Sequence, residues 1–164
     1  MIITLSSKDE ATIFNIINVA ANAYNGVIPD DCYHEPYMSL EELQHEMTNM
    51  TFFGWQEPEK LVGVIGLQPI KGVALIRHAY ILPAYQGRGI GSRLLDHIRK
   101  MTNSRHLLVG TWADATWAIN FYKKHGFKLM PDKDELLRKY WEKSQRQVEV
   151  SVVLAIEPKI TSRL

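Results

Sequence analysis

The sequence predicts a mixed α/β fold with a mostly antiparallel central sheet and helices on both faces. Three strand-like runs, at 51–56, 61–68 and 73–82, follow one another with only short polar breaks, which predicts an antiparallel meander. After residue 90, helical and strand-like patterns alternate as they do in βαβ units. A chain of 164 residues can bury one hydrophobic core without disulfides, so we expect a single domain spanning residues 1–164.

The elements before the meander each have a local signal. Residues 2–5 alternate like a short strand, and apolar residues between 11 and 20 recur at helical spacing. Residues 24–38 contain glycine, prolines and acids that predict an irregular loop. Ser39 and Glu42 form a capping-box sequence, which predicts that a helix begins directly after the serine.

The second half of the chain is predicted to alternate helices and strands. In chain order the pattern indicates a helix at 92–101, a strand at 107–111, a helix at 116–125 that ends at Gly126, a strand at 127–130 and a polar helix or turn at 134–143. Residues 148–154 begin with alternation and end almost continuously apolar, which predicts a late strand buried on both faces.

Composition excludes several classes of function. Nineteen Lys and Arg against eighteen Asp and Glu give a net charge of +1, so we expect no nucleic-acid partner and no binding to an anionic membrane surface. Apolar runs are too short for a membrane span, and residues 1–4 lack the features of a signal peptide, so we expect a cytoplasmic protein. Cys32 has no cysteine partner, and the six histidines lack paired metal-ligand spacing, so no metal is expected. The sequence is compatible with a monomer or a homodimer.

A glycine-rich run lies between the third strand of the meander and the next helix. In Gln86-Gly87-Arg88-Gly89-Ile90-Gly91, glycine at alternate positions allows positive φ and lets backbone N–H groups approach an anion closely. The helix that follows adds its own free donors and its dipole. The run therefore suits a nucleotide-type diphosphate, although an ordinary turn has the same composition. No Gly-Lys-Ser/Thr follows, and serine occupies the third-glycine position of a dinucleotide fingerprint.

Together with its flanks, this run resembles the acetyl-CoA signature of the GNAT superfamily of N-acetyltransferases, Gln/Arg-x-x-Gly-x-Gly/Ala after the fourth strand. Residues 80–83, Tyr-Ile-Leu-Pro, are similar to the strand end before that signature, and residues 118–127 are similar to the later Ala-x-x-x-Tyr-x-x-x-Gly-Phe motif. The resemblance implies a single GNAT-like domain. It also implies transfer of an acetyl group from acetyl-CoA, the cosubstrate, to a primary amine of a small molecule or peptide by direct attack in a ternary complex.

The resemblance also assigns residues to acetyl-CoA. Backbone N–H groups of 87–92 would hold the pyrophosphate, the exposed edge at Ile81 and Leu82 would pair with the pantetheine amides, and Arg88 or Lys123 could contact the phosphates. The implied cofactor-binding positions are Tyr80, Ile81, Leu82, Gln86, Gly87, Arg88, Gly89, Ile90, Gly91, Ser92, Asn120 and Lys123. One position departs from the family pattern, since Ala115 stands where an asparagine is common. We expect the neighbouring Asp114 to cap the next helix, although it could also replace that asparagine.

Two residues are candidates for proton transfer. By the resemblance, the Tyr122 hydroxyl would protonate the leaving thiolate as a general acid. His78 is our candidate base, because alternation along its strand puts it on one face with Tyr80 and Leu82, and some arylalkylamine acetyltransferases resemble this chain there. A packing tyrosine and a partnered core or solvent histidine remain the alternatives.

By the same resemblance, residues 24–38 form part of the site that binds the acceptor amine, so their composition indicates which acceptor the protein uses. Its acids and tyrosines could attract a cationic amine by charge and cation–π contact, while an ordinary hydrophilic loop has the same composition. A non-catalytic acyl-CoA-binding sensor or partner domain is the main alternative function, and a dinucleotide-binding module is a weaker third.

Overall fold

The structure is a computed structural model, and it describes residues 1–102 and 106–156. The strands are β1 (Ile2–Thr4), β2 (Thr51–Gln56), β3 (Leu61–Ile70), β4 (Val73–Ile81), β5 (Leu107–Trp112), β6 (Lys128–Leu129) and β7 (Ser151–Ile156). The helices are α1 (Glu10–Ala20), α2 (Leu40–Met47), α3 (Ile90–Met101), α4 (Thr116–Lys124), α5 (Lys133–Leu136) and α6 (Gln145–Glu149). The described strands form a seven-stranded sheet in the order β1-β2-β3-β4-β5-β7-β6.

Most of the sheet is antiparallel, as the sequence predicts. The pairs β1–β2, β2–β3, β5–β7 and β6–β7 all run antiparallel. The chain divides into two compact units. The first unit is Met1–Gln68 with Ile76–Thr102, and the second is Pro69–Leu75 with Asn103–Leu164, of which 106–156 are described. The strands β3 and β4 therefore each contribute residues to both units.

In the first unit, helices cover both faces of the sheet. Phe52 belongs to a core cluster with Ile13 and Ile17 of α1 and Leu43 of α2. The next residue, Phe53, makes an edge contact with the ring of His97 on α3, with ring centroids 4.8 Å apart. Because consecutive strand residues point to opposite faces, α1 and α2 cover one face and α3 covers the other. This arrangement confirms the predicted mixed α/β architecture.

The second unit has its own core. Leu75, Leu108, Leu137, Val148 and Val153 form a buried cluster, and Tyr140 and Trp141 pack against it. A π-helical turn over Leu137–Trp141 follows α5 directly. A Cβ atom added to Gly110 of β5 would lie 3.3 Å from the Trp141 indole, so the glycine allows this close packing.

The structure corrects three predicted boundaries. The helix α3 begins at Ile90, inside the glycine run, and not at 92. The strand predicted at 127–130 is only Lys128–Leu129. The strand predicted from 148 is wrong at its start, because α6 extends to Glu149 and β7 begins at Ser151. Ser144 caps α6 by accepting a hydrogen bond from the Gln147 N–H at 3.3 Å, and Val148 is buried as a helical residue.

The helix that the capping-box sequence predicts is present as α2. Ser39 Oγ accepts a hydrogen bond from the Glu42 N–H at 3.1 Å. Within the described ranges, no described helix has the length and hydropathy needed to span a bilayer.

Candidate functional site

The glycine run forms an open loop at the start of α3. Gly87 and Gly89 have φ of +78° and +79°, a left-handed conformation that side chains disfavour, and Gly89 is the N-cap of α3. A Cβ atom added to either glycine would meet no atom within 4 Å. The backbone conformation, and not crowding, therefore requires glycine here, and space beside the loop is open to a ligand.

Backbone donors in this loop fit an anion. The first hydrogen bond of α3 is donated by the Arg93 N–H to the Gly89 carbonyl at 3.1 Å. Within the described part of the chain, the N–H groups of Gly89, Ile90 and Gly91 have no acceptor. Three successive donors at the N-terminus of a 12-residue helix suit a phosphate group, so this loop fits the diphosphate of acetyl-CoA. Ser92 follows in the first turn and is half-buried.

The strand end before the loop is tied to it by a side chain. Gln86 Nε2 donates to the Ile81 carbonyl at 3.0 Å, so the first residue of the signature joins the loop to β4. Leu82 donates its N–H to the Val62 carbonyl at 2.9 Å. The Leu82 N–H is therefore already paired inside the described structure, which leaves Ile81 as the better candidate of the two predicted edge residues. The predicted pairing of Ile81 and Leu82 with the pantetheine amides stays a prediction.

Two cations flank the loop on one aromatic ring. The Arg88 guanidinium lies 5.0 Å from the centroid of the Tyr85 ring, and Lys60 Nζ lies 5.6 Å from the same centroid. These are cation–π distances, so the ring holds both charges near the glycine run. Arg88 was predicted as a phosphate contact, whereas nothing in the sequence places Lys60 beside it.

His78 has a left-handed backbone in the middle of β4. Its φ is +54°, which is uncommon for a residue other than glycine. The consecutive residues Arg77 and His78 both bond Glu46 Oε1 of α2, from Nη2 at 2.9 Å and from Nε2 at 3.0 Å. In a regular strand, consecutive side chains point to opposite faces, so the shared bonding of Arg77 and His78 to Glu46 is an irregularity like that at a β-bulge. Arg77 Nη1 also donates to Gln68 Oε1 at 2.8 Å.

The predicted grouping of His78 with Tyr80 and Leu82 agrees with the contacts. The His78 ring stacks on Phe52, with centroids 6.0 Å apart, and Phe52 belongs to the core cluster against which Tyr80 and Leu82 pack. Arg77 joins this group because of the left-handed residue, which simple alternation does not anticipate.

Glu46, which bonds both Arg77 and His78, is ionised. Burial raises the pKa of its carboxyl, but the hydrogen bond from His78 and the charges of Arg77, His78 and His45 outweigh burial, so the pKa is below its usual range. The side chains of Glu46, Arg77 and His78 are 14%, 17% and 13% exposed. The charges are therefore screened by solvent only in part.

Tyrosines of the predicted acceptor segment pack beside β4. The Tyr24 hydroxyl donates to the Tyr80 hydroxyl at 3.4 Å, and the Tyr24 ring lies 5.2 Å from Tyr37 and 6.3 Å from Tyr80. Tyr33 stacks on Tyr37 at 6.4 Å. Burial, reinforced by Tyr24 and Tyr37, raises the pKa of Tyr80 well above its ordinary value, so this phenol stays neutral. We call Tyr24, Tyr33, Tyr37 and Tyr80 the tyrosine cluster.

The remaining predicted residues lie on α4, in the second unit. Tyr122 is buried, with its ring 5.1 Å from Phe121 and 5.4 Å from Phe127. Asn120 and Lys123 are exposed on the same helix. Exposure of these two side chains is compatible with ligand contact.

The predicted Asp114 cap is wrong. The N-cap residue of α4 is Ala115, which is fully buried and whose side chain cannot make a capping bond. Asp114 is exposed one residue before that position, too early to cap the first turn.

Sequence reasoning missed Glu46 and Arg77. Glu46 is one of several acids on a surface helix, and only the fold brings it to β4. Among residues 1–102 and 106–156, no group of three or more His, Cys, Asp or Glu side chains is arranged to hold a metal ion.

Comparison with known proteins identifies the family. The model of the acetyltransferase (GNAT) domain matches residues 48–129, which is half of the chain. The chain belongs to the GNAT acetyltransferase family. This match confirms the resemblance inferred from the glycine run and the tyrosine motif, and acetyl-CoA, the predicted cosubstrate, is the acetyl donor that GNAT enzymes use.

Solved structures of GNAT proteins share the fold. PaiA N-acetyltransferase from Thermoplasma acidophilum in complex with coenzyme A has a TM-score of 0.73 and 21% identity, over 96% of this chain and 98% of that one. A GNAT-family acetyltransferase from Staphylococcus aureus Mu50 also has a TM-score of 0.73, with 22% identity over 97% of this chain and 99% of that one. The ribosomal-protein-S18-alanine N-acetyltransferase from Escherichia coli has a TM-score of 0.69 and 17% identity, over 99% of this chain and 96% of that one. At these identities the likeness establishes the GNAT fold alone.

Proposed function

We propose that this chain transfers an acetyl group from acetyl-CoA to a primary amine of a small molecule or peptide, by direct attack in a ternary complex. One observation carries the proposal. Left-handed Gly87 and Gly89 lead into α3 and leave the N–H groups of 89–91 without acceptors in the described chain, as a diphosphate site requires. A cytoplasmic location stays a prediction from the sequence.

The residues proposed to hold acetyl-CoA follow from this loop. The N–H groups of 87–92 would bind the diphosphate, with Arg88 beside them, and the Ile81 edge would pair with the extended arm. Asn120 and Lys123 are further candidates on α4. When bound, acetyl-CoA supplies a thioester with a good leaving group, and the protein supplies binding, orientation and proton transfer.

Two proton transfers complete the proposed reaction. The amine nitrogen forms a bond to the acetyl carbon while the carbon–sulfur bond breaks. His78 takes a proton from the amine, directly or through water, and Tyr122 gives a proton to the departing sulfur. Support for Tyr122 is its place in the family motif, and support for His78 is its place on β4 beside a carboxylate partner.

A cationic acceptor is favoured by the tyrosine cluster. The half-buried Tyr33 and Tyr37 rings of this cluster could offer cation–π faces, and Asp30, Asp31 and Glu35 are exposed in the same segment. Small-molecule and protein amines both satisfy this chemistry.

Two matched glycine variants test the loop. Gly89 and Gly72 have φ of +79° and +85°, and a Cβ atom at either would meet nothing within 4 Å. Alanine therefore costs a similar conformational energy at both sites, while only Gly89 belongs to the proposed site. We expect Gly89→Ala to weaken acetyl-CoA binding at least tenfold by calorimetry and Gly72→Ala to leave the Kd unchanged.

The wild-type chain provides the reference. Acetyl-CoA or CoA at about 100 times Kd should add about 2.7 kcal/mol, or about 5–10 °C in Tm, while NADH should add nothing. Thiol release with a panel of amines then separates an enzyme from a sensor. No thermal shift with either CoA species, or an equal effect of the two alanines, would contradict the proposed site.

A further inference from the structure

Glu46, Arg77 and His78 form a cluster that the proposed reaction does not by itself explain. A partly buried ion pair between α2 and β4 needs only Arg77 and Glu46. Here the strand also adopts a left-handed conformation at His78, which brings a second donor to the same carboxylate oxygen. Such conformations cost energy and concentrate at functional sites.

The bond to Glu46 determines the state of the His78 ring. An ionised carboxylate can only accept hydrogen bonds, so Nε2 must donate and therefore carries a proton. In the neutral ring the basic lone pair is then on Nδ1. Stacking of the ring on Phe52, with centroids 6.0 Å apart, further restricts its orientation.

Glu46 is poorly suited to accept the proton itself. Its Oε1 already accepts from the Arg77 guanidinium and from His78, and both contacts favour the ionised form. A carboxylate held in this way is a weak base, so its contribution must pass through the histidine.

We propose that Glu46 is a positioning residue for acetyl transfer, whose carboxylate holds the His78 imidazole in one tautomer and orientation while Arg77 fixes the carboxylate. This inference rests on the proposed function, in which His78 is the base. It adds two residues, Glu46 and Arg77, to the machinery.

The charges around the ring give the proposal a pH signature of known sign. Among the described contacts, the Glu46 carboxylate from α2 bonds the His78 ring, the uncharged Phe52 ring from β2 stacks on it, and the Arg77 guanidinium from β4 shares the same carboxylate oxygen. His45 also acts on Glu46 from α2. A carboxylate favours the protonated ring and a guanidinium disfavours it. Removing one charge leaves the other unopposed, so the two removals act in opposite directions.

The test compares Glu46→Gln with Arg77→Gln. For Glu46→Gln, we expect the acid limb of the kcat/KM profile and the NMR titration of the His78 ring to move to lower pH by about one unit. For Arg77→Gln, both should move to higher pH. Glu46→Gln should also lower kcat about tenfold at the wild-type optimum. The control is Glu42→Gln, an exposed acid on the same helix, which should move neither.

The outcomes separate this inference from the proposed function. A purely structural ion pair would lower the Tm in both variants without opposite shifts of the two profiles, and that result would overturn the role of Glu46 while leaving the acetyltransferase intact. Unchanged profiles in both variants would do the same. Acetyl-CoA binding by the wild type without turnover of any amine would overturn the proposed function and this inference together.

Discussion

The position of the His78 side chain could be predicted from the sequence, but its backbone conformation could not. Alternation along β4 predicts correctly that it shares a side of the sheet with Tyr80 and Leu82, because side-chain direction in a strand has period two. Its left-handed φ could not be predicted, since no glycine or asparagine marks the position. Tertiary contacts with Glu46 and Phe52 maintain that conformation.

Because His78 has a left-handed backbone, we expect glycine to be more stable than alanine there, the reverse of the usual order within a strand. Glycine should be more stable than alanine at this position by about 1 kcal/mol, because a Cβ atom is disfavoured at φ +54°. At the exposed neighbour Ala79, glycine should instead be less stable than the native alanine by about 0.5–1 kcal/mol. Urea unfolding of His78→Gly, His78→Ala and Ala79→Gly measures both differences. A more stable His78→Ala would show that the strand is not left-handed there.

At the scale of elements, strong local patterns predict well and tertiary packing decides the rest. The strand predicted at 51–56 has both ends in place, and the polar break at 57–60 marks where it stops. The helix α6 was missed, although Ser144-Gln145-Arg146-Gln147 is itself a capping-box sequence. Alternating valines at 148, 150 and 152 concealed it, since Val148 is buried from a helix and not from a strand.

The strand β3 accommodates the irregular part of β4 through Gly66. A Cβ atom there would lie 2.9 Å from the Arg77 carbonyl oxygen and 3.1 Å from Met50 Sδ, so backbone would have to shift. We expect Gly66→Ala to lower the free energy of unfolding by about 1–3 kcal/mol. Gly63→Ala should cost less, because its close neighbour, at 2.6 Å, is the flexible end of Ile81. Urea titrations of both variants decide this, and an equal cost would contradict it.

At the scale of the whole molecule, the family and the architecture were accessible from two motifs and the element order. The division into two units could not be predicted from the sequence, because it depends on which parts of long strands contact which helices. Leu75 lies in the core cluster of the second unit, while the next residue, Ile76, is assigned to the first.

Sharing of β3 and β4 between the units predicts cooperative unfolding. Neither unit can lose its strands without removing residues from the other, so we expect one transition, as for a single domain. Pulsed hydrogen exchange with mass spectrometry across a urea titration can follow peptides from α1 and from β7 separately. Coincident midpoints are expected, and two separate midpoints would mean that the chain contains two folding domains.

The Tyr85 ring, shared by Lys60 and Arg88, has a consequence for kinetics. Within the described residues, neither cation has a carboxylate within salt-bridge distance, so no direct ion pair neutralises either charge on the uncharged Tyr85 ring. Their field extends over about 8 Å at physiological ionic strength, farther than a hydrogen bond reaches. An approaching polyanion is attracted before it touches the loop. We therefore expect these two side chains to act mainly on the rate at which an anion reaches the loop, and the glycine backbone to act on how long it stays bound.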